Sequence, residues 1–288
     1  MKKRLYYLRK NPLETAFIAL LFVIGLIGLP YREIGGLITQ DPTLADITGM
    51  ILCRAPAFAI MCFAAYHLGL GGFLPFGKKG AALLFALPAL AVALNNAPWI
   101  ALAVGDAKIT ASAGTVFLFA LECLFVGAFE EVSFRGVVFP LVLQKFGTDG
   151  KGRFVSVLLS SAMFGLVHLV NLLAGSSFGA VAMQIGYSFL IGAMLAVVFF
   201  RGGGILLCAA LHALYNFCGM VVPQLGEGEL WNVPAIVITV LLSVAVCVYM
   251  AIGLWKADDK PVRALVFRAE GRENGKENER DVDKTQTT

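Results

Sequence analysis

The sequence predicts an all-α protein that crosses a membrane about eight times. Of its 288 residues, 58% are hydrophobic and only 15% are charged, whereas soluble domains contain about 25% charged residues. The mean hydropathy is +0.79. Long apolar segments with short connections occupy nearly all of the chain up to Trp255. These observations predict a polytopic bundle of membrane helices with its functional site inside the bundle.

Eight apolar segments meet or approach the length of about 20 residues that a membrane helix needs. The fourth segment can continue beyond two adjacent glutamates, and Pro140 would then kink or end that helix. The segments cover residues 13–29, 47–70, 81–104, 111–129, 154–173, 178–200, 205–222 and 233–255. We therefore assign residues 1–256 to a transmembrane domain. Residues 257–288 are polar and are expected to form a disordered cytoplasmic tail.

The distribution of basic residues predicts that both termini are cytoplasmic. Eight spans place both ends of the chain on the same side. Lysine and arginine residues concentrate at the N-terminus, in the second, fourth and sixth connections, and in the tail. The other connections carry Arg32 and Lys108 among several acidic residues. Because basic residues favour the cytoplasmic side, we expect an integral protein of the cell membrane whose first apolar segment is a retained span rather than a cleaved signal peptide.

Charge, cysteines and motifs exclude several other classes. The net charge of +4 comes from the termini and alternate loops, so we expect a lipid bilayer and no nucleic acid as partner. All six cysteines lie in apolar segments without a CxxC pair, which is typical of small buried side chains. No GxSxG, HExxH or P-loop motif occurs. Hydrolase-fold, zincin and P-loop chemistry are therefore not expected.

Ionisable side chains inside the apolar segments are the candidate functional residues. A charge at the bilayer centre costs about 2.5–3.5 kcal/mol on insertion scales, so it needs a partner or a function. Glu130 and Glu131 are adjacent at the end of the fourth segment, and His168 and His212 lie in the fifth and seventh. The remaining histidine, His67, lies near a membrane interface and is interpreted as structural.

Each of these apolar segments contains a pair of residues spaced four apart, so the two members of each pair share one helix face. The pairs are Glu131 and Arg135, Phe164 and His168, and His212 and Asn216. Glu131 and Arg135 are expected to form a helix ion pair. Glu130 is rotated by about 100° from Glu131, so it is predicted to be the carboxylate that faces another helix, towards His168. Each spacing is common alone, but three in order on three apolar helices indicate one site.

This set of groups suits hydrolysis of a peptide bond. A carboxylate and an imidazole can hold one water molecule between them and remove its proton as it attacks a carbonyl. A second imidazole and a carboxamide can donate hydrogen bonds to the oxyanion that develops. No serine nucleophile is required.

The motifs Glu130-Glu131-x-x-x-Arg135, Phe164-x-x-x-His168 and His212-x-x-x-Asn216 resemble the signature of the CPBP intramembrane proteases, also known as the Abi family. This family joins type II CAAX prenyl endopeptidases with bacteriocin-processing and immunity proteins. The similarity covers residues 111–220. It implies an intramembrane endopeptidase of the glutamate type that needs no cofactor and cuts a membrane-associated peptide or protein.

The resemblance also implies a role for each residue of the motifs. Glu130 and His168 would activate the water molecule, and His212 and Asn216 would form the oxyanion site. The supporting residues would be Glu131, Arg135 and Phe164. Prenylated CAAX tails are the substrates of eukaryotic members.

Three alternatives stay open. Glutamate and two histidines are also zinc ligands with water in the fourth position, although the sequence has no HxxxH pair. A non-catalytic membrane scaffold or bacteriocin-immunity protein would keep the same fold. A proton-coupled transporter would use the same side chains as a relay, but the sequence lacks the internal repeat that such proteins often show.

Other polar residues have two interpretations each. Arg54 either extends to the outer membrane interface or pairs with a buried acid such as Glu122. The remaining ones either line a substrate cavity or form hydrogen bonds between helices. They are Asn95 and Asn96, which with Pro98 interrupt the third segment, and Gln184 and Tyr187 in the sixth.

Overall fold

The computed structural model describes residues 10–73, 81–228, 232–258, 260, 262 and 263. Within these residues, seven helices are long and apolar enough to cross a membrane, and a shorter apolar helix covers Leu84–Asn95. The predicted all-α polytopic bundle is confirmed. The basic residues before Lys10, the lysines of the second connection and nearly all of the predicted polar tail lie outside the described residues.

The first half of the bundle begins its helices where the sequence supplies caps. Pro42 occupies the first turn of α3, where a missing N–H costs no hydrogen bond. Asp41 caps the same helix by accepting a hydrogen bond from the Leu44 amide at 2.9 Å. The helices are α1 (Pro12–Ile27), α2 (Tyr31–Gly36), α3 (Pro42–His67), α4 (Ala81–Asn95), α5 (Trp99–Val104) and α6 (Ala113–Ser133).

The second half contains the remaining spans and two short strands. Ser177 caps α10 through the amide of Ala180. The helices are α7 (Phe139–Phe146), α8 (Gly150–Leu166), α9 (Val170–Leu173), α10 (Phe178–Phe200), α11 (Ile205–Leu225) and α12 (Val233–Trp255). A π-turn (Phe134–Val138) joins α6 to α7, and 3-10 turns cover Gly71–Phe73 and Val167–Leu169. Strand β1 (Ala107–Ile109) pairs antiparallel with β2 (Gly226–Gly228).

The third predicted span is divided. Helix α4 ends at Asn95 and α5 begins at Trp99, because Pro98 lacks an N–H and disfavours helical geometry in the residue before it. The two asparagines at the break form hydrogen bonds between helices. Asn95 donates to the Thr239 hydroxyl at 2.8 Å, and Asn96 donates to the carbonyl of Tyr215 at 2.9 Å.

The fourth predicted span is longer than expected. Its helical stretch runs from Ala113 to Phe146 through the π-turn, so the two glutamates lie inside a continuous helix rather than at its end. Pro140 does not end this helix. The amide of Phe139 donates to the carbonyl of Phe134, five residues earlier, and this wider turn changes the hydrogen-bond register just before the proline.

The bundle has two faces, which we define by the chain ends. At the terminal face, α1 begins and α12 ends. Arg153, at the start of α8, donates hydrogen bonds there to the carbonyls of Trp255 and Ala257. The guanidinium of Arg201, after α10, lies 4.6 Å from the ring centre of Phe85 near the start of α4. These contacts bring alternate helix ends together at the terminal face.

At the opposite face, the other ends of the same helices meet. Arg32 Nε, after α1, lies 3.5 Å from Asp46 Oδ1 at the start of α3. Lys108 Nζ in β1 lies 3.5 Å from Glu227 Oε2 in β2. The half of the bundle near the terminal face is an apolar core, whose fully buried side chains include Phe134, Val137, Val138, Phe139 and Leu143. The polar side chains predicted to be functional lie in the other half.

Candidate active site

A cavity of about 490 Å³ extends into the bundle from the opposite face. Its walls come from the end of α1 and from α3, α6, α8, α9, α10 and α11. Most of the predicted site residues line it, namely Glu130, Phe164, His168, His212 and Asn216. The sequence-predicted groups from three separate spans are therefore brought together around one space. Glu131 and Arg135 lie behind its wall.

Glu131 holds two partners at once. Its Oε1 lies 2.8 Å from Arg135 Nη1, which is the predicted helix ion pair. The same oxygen lies 2.8 Å from His212 Nδ1, across to α11. Arg135 uses its other nitrogen, Nη2, to donate to the carbonyl of Gly192 at 2.8 Å. Because Glu131 is completely buried, these contacts fix the positions of the Arg135 guanidinium and the His212 ring, and of α11 relative to α6.

Glu130, unlike Glu131, lines the cavity. Its Oε2 lies 3.5 Å from His212 Nε2. The imidazole of His212 therefore bridges the two glutamates, with Nδ1 towards Glu131 and Nε2 towards Glu130. The sequence predicted that Glu130 faces His168. Among the described residues, its ion-pair contact is instead with His212, while His168 lies elsewhere on the same cavity wall.

The environment of His168 fixes its tautomer. Its Nδ1 lies 3.0 Å from the carbonyl oxygen of Phe164 and 3.3 Å from that of Gly165. Carbonyl oxygens only accept hydrogen bonds, so Nδ1 carries the proton and Nε2 of the neutral ring is an acceptor. No described residue forms a hydrogen bond with Nε2. His168 can therefore accept a proton or a hydrogen bond from a molecule in the cavity.

Phe164 connects the polar groups. Its ring lies nearly perpendicular to both imidazoles, with centroid distances of 5.4 Å to His168 and 5.8 Å to His212. The guanidinium of Arg135 lies 4.8 Å from the same ring centre, at a distance typical of a cation–π contact. Phe164 is 2% exposed. The aromatic residue of the second motif therefore restricts the orientation of both histidines and of the arginine.

Asn216 lies one helical turn after His212 on α11 and is half-buried. The structure shows no hydrogen bond from its carboxamide to any other described residue. A half-buried amide without a protein partner can form hydrogen bonds with water or a ligand. The carboxamide is therefore available to a molecule in the cavity, on the same side as Glu130 and His212.

Two further charged residues, Arg54 and Glu122, line the cavity. The hydrogen bonds of Arg54 go to backbone carbonyls at the end of α1. Its Nη1 and Nη2 donate to the carbonyls of Leu26 at 2.7 Å and Ile27 at 3.1 Å, because the last carbonyls of α1 have no partner within that helix. Glu122 also lines the cavity, and its Oε2 has no hydrogen-bond partner among the described residues.

Three further polar residues considered from the sequence are Gln184, Tyr187 and His67. Gln184 and Tyr187 line the cavity, and Gln184 accepts a hydrogen bond from Asn171 at 2.7 Å. His67 lies outside the cavity wall and packs its ring 4.1 Å from that of Phe63. This position agrees with a structural interpretation of His67.

A zinc site needs three protein ligands arranged around one ion. The described part of the chain contains no group of three or more histidine, cysteine, aspartate or glutamate side chains with a geometry that would hold a metal ion.

The fold and the cavity together define an integral membrane protein with a polar site inside its helix bundle. Comparison with family models shows which family the chain resembles. The family described as type II CAAX prenyl endopeptidase Rce1-like matches residues 112–218. All seven motif residues lie inside that range, and the resemblance to the CPBP family is confirmed. This family is a protease family. Neither the curated proteins nor the solved structures gave a match to this chain.

Proposed function

We propose that the chain is an intramembrane endopeptidase in which Glu130 is the general base. One observation carries this proposal: of two adjacent glutamates, Glu131 is occupied by Arg135 and His212, while Glu130 stays on the cavity wall. The family match supports the class of activity, and the position of Glu130 supports its role.

Both ring nitrogens of His212 lie near carboxylate oxygens, with Nδ1 2.8 Å from Glu131 Oε1 and Nε2 3.5 Å from Glu130 Oε2. Carboxylate oxygens accept hydrogen bonds, so an N–H at either ring nitrogen has an acceptor within reach. Once substrate enters, an N–H at Nε2 can donate to an oxyanion instead, as Asn216 can through its carboxamide.

The reaction uses one water molecule and no covalent intermediate. Glu130 removes a proton from a water molecule that also donates a hydrogen bond to His168 Nε2, and the water oxygen attacks the carbonyl carbon of the scissile bond. His212 and Asn216 stabilise the resulting oxyanion. Glu130 then gives the proton to the amide nitrogen as the C–N bond breaks, which releases a carboxylic acid and an amine.

Purified protein and membrane-anchored peptides test this assignment. We expect the unaltered chain to cleave at least one peptide, and Glu130→Gln to cleave none while keeping its unfolding temperature. Glu14→Gln is the matched control, because Glu14 is exposed at the start of α1, far from the cavity. A non-catalytic scaffold would show no cleavage by any variant. Cleavage by Glu130→Gln at the unaltered rate would refute the role of Glu130.

Metal chelation addresses the zinc alternative separately. The proposed mechanism uses no metal ion, so we expect cleavage to continue in the presence of a strong chelator. Loss of cleavage that added zinc restores would replace the proposed mechanism with a metal-dependent one.

A further inference from the structure

The mouth of the cavity lies at one face of the bundle. Its outer wall is formed by exposed residues of the α1–α2 connection, the α9–α10 connection and the end of α11. They include Leu29, Arg32, Ala174, Ser176 and Gln224. All three regions belong to the opposite face, because they lie where α1 and α11 end and where α10 begins.

The inner end of the cavity is closed. Along α6, α8 and α11, the lining residues nearest the terminal face are Glu130, Phe164 and His212. The residues that follow Glu130 towards that face include buried side chains of the apolar core. Phe134 and Phe139 are each exposed by 1% or less. A substrate therefore reaches Glu130 from the opposite face and not from the terminal face.

The two faces differ in charge. Among the described residues, the two exposed basic side chains of the opposite face are paired with acids, Arg32 with Asp46 and Lys108 with Glu227. Further acidic residues accompany them, namely Glu33, Asp41 and Asp106. At the terminal face, basic residues are more numerous than acidic ones and include Lys10, Lys145, Lys151, Arg201 and Lys256. Since basic residues remain on the cytoplasmic side, the terminal face is cytoplasmic.

We propose that the cavity receives its substrate from the non-cytoplasmic side of the membrane. The substrate class is a membrane-tethered polypeptide whose scissile bond is exposed on that outer side, such as an exported peptide segment, rather than a cytoplasmic tail. This inference rests on the proposed function for its chemistry. It rests on the position of the mouth and on the charge asymmetry for its direction.

A second buried group lies on the path from the mouth to Glu130. Glu122 precedes Glu130 by eight residues on α6, which is about 12 Å nearer the opposite face. It is 9% exposed, it lines the cavity, and its Oε2 has no partner among the described residues. A buried carboxyl oxygen without a hydrogen-bond partner is costly. A substrate on this path can supply the missing donor, either a backbone N–H or a basic side chain.

Cysteine accessibility tests the direction without depending on cleavage. Tyr187→Cys places a thiol on the cavity wall, and Lys151→Cys places one at the terminal face. In intact cells, a small thiol reagent that does not cross membranes should modify Tyr187→Cys and spare Lys151→Cys, after subtraction of the signal from the native cysteines. The pattern should reverse in inverted vesicles. Labelling of Lys151→Cys alone in intact cells would overturn the proposal.

Substrate orientation tests the same inference through activity. A peptide segment that the purified protein cleaves in detergent is fused to a single membrane anchor in both orientations. In cells, we expect cleavage only of the fusion that exposes the segment outside, and cleavage of the inward fusion would contradict the proposal. In detergent both fusions should be cut, and Glu130→Gln should cut neither. If no peptide is cut in detergent, the proposed function fails, while the labelling experiment still decides the direction.

Discussion

The two halves of the bundle differ in what their interiors contain. Near the terminal face, apolar side chains such as Phe139 and Val138 are fully buried against one another. Towards the opposite face, the interior contains a cavity whose wall includes Glu122, Glu130 and Asn216. Oε2 of Glu122 has no hydrogen-bond partner among the described residues. The buried Glu131–Arg135–His212 cluster lies at the boundary. Apolar packing and the candidate active site therefore occupy different halves of the bundle. Substitutions in the two halves should affect different measurements.

Substitutions in the buried Glu131–Arg135–His212 cluster should lower stability and cleavage together, with the largest effects. In Glu131→Gln, Arg135 loses its buried counter-charge, and breaking such a pair costs about 3–5 kcal/mol. We expect both the free energy of unfolding and the cleavage rate to fall. Thermal unfolding and cleavage assays on the same preparation measure the two effects.

A double variant separates the two losses. Glu131→Gln with Arg135→Met removes the unpaired cation, so the double variant should recover part of the lost stability. Cleavage should stay low, because the amide oxygen of Gln can still accept from His212 Nδ1 but carries no negative charge. Recovery of full cleavage in the double variant would mean that the charge of Glu131 is not needed beside His212.

Asn216→Ala should lower activity and leave the fold intact. Loss of one donor to an oxyanion reduces the rate constant by about 10²–10³-fold. Asn216 has no protein hydrogen bond among the described residues, so the unfolding temperature should not change. Asn95→Ala is the matched control, since its carboxamide bonds to Thr239 outside the cavity wall. A stable Asn216→Ala protein with unreduced kcat would remove this residue from the oxyanion site.

In the apolar half, Phe139→Ala should have the reverse effect. The substitution leaves a void, and because lipid is as apolar as the side chain, we expect a loss of about 2 kcal/mol rather than the larger values of water-soluble cores. The rate of cleavage per folded molecule should persist. Phe117→Ala, at a side chain that is 69% exposed, should change neither quantity. A selective loss of cleavage without a loss of stability in Phe139→Ala would contradict the separation.

The smallest effect is expected from Glu122→Gln. The amide keeps the shape of the side chain and cannot ionise, so stability should hold or rise slightly. If Glu122 contacts substrate before the chemical step, KM should rise by less than about tenfold with kcat retained. A lower kcat at constant KM would instead place Glu122 in the chemistry.

Hydropathy and helical spacing predicted much of this arrangement. Length and apolar composition predicted the spans, and a spacing of four residues predicted the contact of Glu131 with Arg135 and of Phe164 with His168, because both pairs lie on one helix. Two boundaries differed for local reasons. Pro98 shortened the third span, and the π-turn at Phe134–Val138 extended the fourth.

Contacts between helices were not predictable in the same way. The bridge from His212 to both glutamates depends on the rotation and crossing of α6 and α11, which no periodicity along one helix records. The bonds from Arg54 to the carbonyls of Leu26 and Ile27 depend on where α1 ends beside α3. The pattern of side chains along the sequence does not show which backbone carbonyls at a helix end lack a partner. Arg54 could therefore be recognised from sequence only as an expensive buried charge.

The most direct test compares the two glutamates in one assay. Purified Glu130→Gln and Glu131→Gln are measured for thermal unfolding and for cleavage of the same membrane-anchored peptide. The account predicts that Glu130→Gln unfolds like the unaltered chain and has no measurable cleavage, while Glu131→Gln loses stability. A stable Glu130→Gln protein that cleaves the peptide at the full rate would contradict the central claim.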